Sequence, residues 1–343
     1  MEKVMVALSG GVDSAVTAAL LIEQGYEVVG VHMRLLSGAE HESSDEDARQ
    51  VANELGIEFH SLDCRKEFDR VIVQNFCDEY LNGRTPNPCI LCNRHMKFGY
   101  LLQIADELGA DFLATGHYAR IDHSGDVPVL RRGRDRKKDQ SYFLFTLKAE
   151  QLKRVMFPLE DTTKEQVKVI AQRLNLSARH KAESQDVCFI PDNDYVRFLQ
   201  SQPLMLPHGG AIVHVNGRVL GRHSGTYRYT IGQRKGLGIG WSEPLYVVSI
   251  DVINNQVVVG EKQYLETMEL VVNDVVWSQP PTKNEIRVDC RIRYRHNEAM
   301  ATLHTDDQGT VRVVFDQPQI GVTPGQSAVF YQDDAVIGGG WIQ

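Results

Sequence analysis

The sequence predicts an α/β domain built on a parallel sheet, followed by a small β-rich linker domain and a C-terminal antiparallel β-barrel. Three observations carry this. From residue 2 to about 119, short apolar runs alternate with amphipathic stretches, the pattern of strand-helix units whose sheet is covered on both faces. After residue 202 the chain turns to short Val- and Ile-containing runs separated by Gly, Pro and Asn, which is strand-and-turn sequence. From residue 269 to the end roughly six such runs follow closely, enough to close a barrel. At 343 residues the chain exceeds one ordinary core, and the shifts in composition divide it into residues 1–202, 203–264 and 265–343.

Taken in order, residues 4–8 read as a strand and a helical pattern follows to Gln24. Residues 28–33 are a strand, 45–55 a helix and 59–62 a strand. Helices are expected around 68–81 and 97–108, and a strand over 112–114. Ligands of parallel sheets bind at the carboxyl ends of the strands, so residues 9–14, 33–44 and 115–118 are expected to share one edge. Residues 148–202 read as helical, broken by Pro158. Pro203, Pro207, Gly209 and Gly210 mark the linker, with strands over 211–215, 246–250 and 257–259. The barrel runs are 270–277, 287–294, 299–304, 311–315, 327–331 and 336–342. Turns at residues 306–309, 324–325 and 333–334 separate them.

An apolar content of 42% and a charged content of 24% are those of a soluble globular protein. The chain lacks an apolar window of membrane-spanning length and any signal-like N-terminus, so a cytoplasmic location is expected. Six cysteines in a chain this long do not make a secreted disulfide framework, and thiol chemistry or metal binding is the better reading. A net charge of −8 argues against wholesale wrapping of nucleic acid. Three local basic clusters run the other way. They are Arg131, Arg132, Arg134, Arg136, Lys137 and Lys138; then Arg218, Arg222, His223, Arg228, Arg234 and Lys235; then Arg287, Arg291, Arg293 and Arg295 around Tyr294. The last four are expected to line one face of a strand, and together the clusters point to RNA phosphate contacts.

Residues 9–14, Ser-Gly-Gly-Val-Asp-Ser, join the first strand to the first helix. Two glycines let backbone approach an oxyanion, and the helix start supplies unpaired N–H groups and the positive end of the dipole, so this turn should hold phosphate. It matches neither the Gly-x-x-x-x-Gly-Lys-Ser/Thr loop nor the dinucleotide fingerprint. Met33 at a strand end is either core packing or a contact to an adenine ring, and Gly116 would allow close approach to a nucleotide. Farther along, Pro86 and Pro88 fix an extended loop that presents Cys89 and Cys92. Cys92 is read as lying near a helix start, where the dipole lowers a thiol pKa. Cys188 has no close cysteine partner, which rules out a zinc ribbon.

The loop SGGVDS resembles the signature of the pyrophosphatase-loop ATPases. Together with TPNP and Cys-Asn at 92–93, TGHYAR from Thr115, KDQSYFL from Lys138, ESQDVCF from Glu183, TIGQRKGLG from Thr230 and RYRH from Arg293, it resembles the tRNA-specific 2-thiouridylase family over nearly the whole chain. The resemblance implies an enzyme that uses ATP and Mg²⁺ to adenylate O2 of the wobble uridine (U34) of tRNA, then replaces that oxygen with sulfur to form 2-thiouridine. It implies ATP binding by Ala7, Leu8, Ser9, Gly10, Gly11, Val12, Asp13, Ser14, Met33 and Gly116, with Asp13 catalytic. It further implies Cys188 as the persulfide carrier, Cys92 as the nucleophile that releases the sulfur, and a possible disulfide between them. For tRNA it implies Asn87, Pro88, Cys89, His117, Lys138, Asp139, Gln140, Arg293, Tyr294 and Gln326. Its expected partners are lysine, glutamate and glutamine tRNAs and a cysteine desulfurase or sulfur-relay protein. Many relatives carry Asp where Cys89 stands. Cys89, Cys92 and Cys188 therefore form a three-thiol set, which either ligates a [4Fe–4S] cluster or leaves Cys89 as a packed thiol beside a two-cysteine relay. The loop alone also fits an AMP-forming ligase that joins nitrogen to a carbonyl, or an RNA-binding protein with an inactive nucleotide fold.

Overall fold

A computed structural model describes residues 1–180, 187–190, 192–278, 281–306 and 309–343 of the chain. Residues 183–186 of the ESQDVCF segment, and residues 307–308 of the expected turn at 306–309, lie outside the described residues.

The first strands are β1 (Lys3–Ala7), β2 (Glu27–Arg34), β3 (Glu58–Asp63) and β4 (Phe112–Ala114), all within a residue or two of their expected positions. β1 pairs in parallel with β2 on one side and β4 on the other, through Val4↔Val28 and Val4↔Phe112. Val4, Met5 and Val6 are fully buried, so both faces of β1 are covered, as the continuous apolar run requires. One face packs on the helix Val12–Glu23, whose inner side carries Ala15, Val16 and Ala19; the small residues bring its axis close to the sheet. The long helix Ala39–Leu55 ends on Gly56 at φ 68°, a left-handed cap that suits glycine.

Residues 119–132, which carry no predicted strand, form an antiparallel hairpin of β5 (Ala119–Asp122) and β6 (Val129–Arg132). The segment expected to be helical from 148 holds a strand, β7 (Val155–Met156), which pairs with β4 and completes the parallel sheet in the order β3-β2-β1-β4-β7. Two residues carry too little periodicity to announce themselves. The rest of that segment is broken into Ala149–Leu152, Lys164–Arg173 and Tyr195–Ser201.

The linker forms a four-stranded sheet of β8 (Gly210–His214), β9 (Val219–His223), β10 (Tyr246–Asp251) and β11 (Gln256–Gly260), ordered β10-β11-β8-β9. β9 escaped the sequence reading because Gly221 and Arg222 interrupt its short apolar run. The last six strands are β12 (Glu266–Trp277), β13 (Glu285–Arg291), β14 (Ala299–Thr305), β15 (Val311–Ile320), β16 (Ser327–Gln332) and β17 (Ala335–Ile342). Their order β12-β15-β14-β13-β16-β17 closes through β12–β17, which makes the expected antiparallel barrel. β13 ends at Arg291 and not at Tyr294, so Arg293 and Arg295 lie past the strand. The hairpin β5–β6 joins the barrel sheet at β17, so strands of the first half of the chain are built into the C-terminal barrel. No helix among the described residues is long and apolar enough to cross a membrane.

Candidate functional site

The loop 9–14 leaves the carboxyl end of β1 and caps the helix with backbone alone: Gly11 is the N-cap and no side chain accepts from the first turn. The N–H groups of the helix's first turn are thus left for a ligand, while Gly11 N and Ser9 N donate to Ser9 Oγ and Ser14 Oγ at 3.4 and 3.2 Å. The loop holds its own shape, since Ser14 Oγ donates to Gly11 O at 3.0 Å and lies 3.2 Å from Ser9 Oγ. Gly10 is left-handed (φ 74°), and a Cβ there would meet Asp47 Cβ at 2.9 Å, so the helix from 39 closes over the loop. Beneath, His32 Nδ1 donates to Leu8 O at 2.7 Å.

Gly116 is pressed against this loop. A Cβ on it would stand 2.9 Å from the carbonyl carbon of Asp13 and 3.0 Å from Ser14 N. The close approach predicted at Gly116 is therefore to the loop backbone. Residues 9–14 and 115–118 do share one sheet edge, and Met33, at the end of β2, packs partly buried between two core clusters.

Both carboxylate oxygens of Asp13 accept from Lys164 Nζ at 2.7 Å, and Oδ1 also accepts from Tyr118 OH at 2.7 Å. The Lys164 side chain is only 5% exposed. Sequence reasoning missed Lys164 and gave Tyr118 no role, though Tyr118 belongs to a quoted motif. Lys164 opens a helix behind its cap Thr163, where a lysine opposes the dipole, and that misplacement was the available signal.

The thiols lie on a second centre. Asn87 caps a continuous helical run over 88–107, with Pro88 at its first position, and residues Cys92–Tyr100 form a π-helix. Cys89 is therefore the first-turn thiol and Cys92 lies a full turn in, which corrects the expectation that the helix dipole lowers its pKa. Burial pushes the Cys92 thiol up to about 11, with Lys97 pulling it down and Cys89 raising it further. Cys188 is pushed up to about 12, first by burial, then by Cys92 and Cys89, and Lys97 again opposes. Burial raises Cys89 too. Cys89 and Cys188 nonetheless keep surface open to solvent, and Lys97 acts on all three thiols. The next residue after Cys188, Phe189, is keyed into an edge-on aromatic cluster with Phe68, Phe76 and Phe198, beside which Cys92 packs. All six cysteines are free. Among the described residues no group of three or more His, Cys, Asp or Glu side chains is disposed to hold a metal ion.

His117 joins the two centres. Its neighbour Gly116 backs the loop, while its own Nε2 lies 3.4 Å from Lys97 Nζ and its Nδ1 2.7 Å from Thr115 Oγ1. Burial, reinforced by Lys97, holds its pKa well below the usual value, so it is neutral.

Of the other residues expected to meet RNA, several are engaged in holding the fold. Asp139 is 4% exposed, accepts from Gly133 N, Ser141 N and Ser141 Oγ, and lies 3.6 Å from Arg291. Gln140 accepts from Tyr118 N through its amide oxygen. Gln326 Nε2 donates to Thr85 O and Pro86 O at 3.0 and 3.1 Å, so it braces the proline loop. The Tyr294 ring lies tilted against Phe143, with centroids 4.5 Å apart. Cys89, Arg293 and Arg295 are exposed, Pro88 is buried and Lys138 is half-buried. In the first basic cluster, Arg131 bridges Asp122 and Asp334, and Arg132 pairs with Glu298 over the Tyr331 ring. These two arginines fasten the hairpin to the barrel. In the third, Arg287 holds Asp316 through both guanidinium nitrogens.

Family models match the chain in three consecutive pieces. One described as tRNA methyl transferase HUP domain covers residues 2–192, one described as tRNA methyl transferase PRC-barrel domain covers 198–261, and one described as aminomethyltransferase beta-barrel domain covers 267–342. A tRNA-specific 2-thiouridylase MnmA of Syntrophotalea carbinolica is 54% identical, over 99% of this chain and 98% of that protein. Proteins of the same name from Trichlorobacter lovleyi and Geobacter metallireducens are 51% and 49% identical, over 100% and 99% of this chain and 98% and 96% of theirs. A solved structure of the U34-tRNA thiolase NcsA from Methanococcus maripaludis, with its [4Fe-4S] cluster, is 23% identical with a TM-score of 0.37, over 59% of this chain and 72% of that one. With whole-length identity at this level and the loop and thiols in place, the chain belongs to the tRNA-specific 2-thiouridylase family.

Proposed function

We propose that the protein uses ATP to replace O2 of the wobble uridine (U34) of tRNA with sulfur. The observation that carries this reading is the position of residues 115–118, which back the phosphate loop through Gly116 and reach the thiol centre through His117 and Lys97. A base held at this segment is within reach of both chemistries. O2 attacks the α-phosphorus of ATP and pyrophosphate leaves into the loop, whose N–H groups and the Lys164 ammonium offset its charge. Asp13 acts chiefly by orienting Lys164. The described residues offer no preformed metal group, so Mg²⁺ is assigned to the nucleotide's own phosphates.

Sulfur transfer is assigned to the cysteine pair. The Cys92 thiolate attacks the Cys188 sulfur of a persulfide, forming a Cys92–Cys188 disulfide and releasing hydrosulfide. Hydrosulfide adds at C2, AMP departs, and an external dithiol then reduces the disulfide. No step is routed through a [4Fe–4S] cluster, since the relay needs only Cys92 and Cys188. The persulfide is supplied by a cysteine desulfurase or relay protein, and the substrates are lysine, glutamate and glutamine tRNAs in the cytoplasm. Residues 1–202 carry the chemistry, while 203–264 and 265–343 hold the tRNA. The test is 2-thiouridine formation by the purified chain with ATP, tRNA and a persulfide donor. Pyrophosphate release driven by amines and not by tRNA would replace this reading with the nitrogen ligase.

A further inference from the structure

We propose that the C-terminal barrel forms the back wall of the thiol site, and that Arg94 is a positioning residue through which the barrel sets Cys92. The proposal rests on the reading that Cys92 releases the sulfur. The helical run from 88 carries Cys89, Cys92 and Lys97, and the barrel grips the chain on either side of Cys89 and Cys92. Before the thiols, the turn between β15 and β16 holds the proline loop: Thr85 N donates to Pro324 O at 2.8 Å, and Gln326 donates back to Thr85 O and Pro86 O. Gly325, at φ 90°, sits so close that a Cβ would stand 2.9 Å from Thr85 O. Beyond the thiols, Arg94 Nη1 donates to Asp274 Oδ2 at 2.7 Å, and its guanidinium lies 5.4 Å from the centre of the Trp341 ring. On a third side Asn93 Nδ2 donates to Phe143 O at 3.0 Å.

Asp274 is the informative partner. It is a non-glycine residue at φ 49°, placed where the pairing of β12 with β17 slips between Asn273 and Val276. Such a bulge re-aims a side chain, and left-handed backbone costs free energy even for aspartate. An ion pair as exposed as this one, at 33% and 62%, returns little stability in exchange. Stability alone does not account for the strain. What the bulge achieves is geometric: one barrel carboxylate is aimed at the residue two places past Cys92.

The experiment compares full-length wild type with Asp274→Asn, which keeps shape and tolerance of left-handed backbone, and with Arg94→Met, which keeps a stem against Trp341. Thiolation, pyrophosphate release and tRNA affinity are measured, together with the substrate-free rate of Cys92 alkylation across neutral to alkaline pH. In both variants kcat for thiolation should fall roughly tenfold or more, the cost of misplacing a reacting group by about an ångström. Pyrophosphate release and the Kd for tRNA should hold, the Cys92 alkylation profile should shift, and Arg94→Lys should restore part of the loss. Unchanged kcat with an unchanged alkylation profile overturns the proposal. So does a loss explained wholly by weaker tRNA binding, or one explained by a lower Tm with normal activity in the folded fraction. If wild type itself does not thiolate tRNA, the functional reading fails, while the alkylation comparison, which needs no substrate, still decides the clamp.

Discussion

Lys164 Nζ stands 2.7 Å from each carboxylate oxygen of Asp13, across 151 positions of sequence. The phosphate loop thus ends in an ion pair whose basic member is buried, and neither partner can be changed without affecting the other. Asp13→Ala takes from a nearly buried ammonium, and from the Tyr118 hydroxyl, the carboxylate that receives both, at a cost of about 1–3 kcal/mol. Both Asp13→Ala and Lys164→Met should abolish pyrophosphate release while tRNA affinity stays near wild type. Wild-type turnover in Lys164→Met would remove that residue from the phosphate site.

Gly116→Ala tests the contact between the two active-edge loops. Its Cβ has no room against Asp13 and Ser14, so the loop must move by a few tenths of an ångström or more. Overpacking of this kind costs about 1–3 kcal/mol, which a chain this size survives. Adenylation should drop far more than Tm does, and equal adenylation rates in the two proteins would show that the loop tolerates the shift.

The thiols make a pH prediction with a definite sign. Cys92 and Cys188 are raised to about 11 and about 12, so in the resting protein both are protonated at neutral pH. Alkylation, which needs the thiolate, should climb about tenfold per pH unit until the pH nears those values. Lys97→Met removes the cation that pulls all three thiols down, so the variant should react more slowly at every pH below the plateau. A faster variant would mean that Lys97 shields the thiols.

Cys89→Ser separates relay from cluster. In the two-cysteine relay Cys89 is dispensable, so the variant should keep most thiolation activity, and anaerobically purified wild type should carry no stoichiometric iron. Loss of iron, absorbance and activity together in Cys89→Ser would establish the cluster.

RNA contacts are to be sought outside Arg131 and Arg132. Replacing those two should lower Tm, because they join the hairpin to Asp334 and Glu298 of the barrel, and leave the salt dependence of tRNA binding nearly unchanged. Replacing Arg136, Lys137 and the exposed Arg293 with Ala should reduce the log-log salt slope by about 0.7–0.9 for each phosphate that is no longer neutralised. An unchanged slope would exclude these residues from the interface.

The parallel sheet, the closed barrel and the phosphate loop were legible because each rests on local sequence. The run 4–8 shows its burial in composition, and the six barrel runs are marked off by local turn sequences. What escaped depends on partners distant in the chain. β5 and β6 are only four residues each, and their strand character comes from pairing with each other and with β17. Charge runs such as 131–138 look alike in sequence whether they face solvent or acidic residues, and only the fold shows that Asp334 meets Arg131. The thiol pKa values reversed expectation for a similar reason: the helix start was placed too late, and the burial that outweighs the dipole comes from Phe189 and its aromatic neighbours. Asp13 was found from its motif, but its partner Lys164 has no motif and is joined to it by tertiary structure alone.

The hairpin built into the barrel sheet also sets an order of events at the ribosome. Arg131 on β6 pairs with Ala335 on β17, 204 positions later (335 − 131), so the edge of β6 emerges long before the strand that covers it. At bacterial-type elongation rates of about 5–20 residues per second, that edge waits roughly 10–40 s. An uncovered strand edge is a template for wrong pairing. The nascent first domain therefore cannot reach its final form until synthesis is nearly finished, and chains truncated before β17 should be prone to aggregate even though the sheet beneath the phosphate loop is intact.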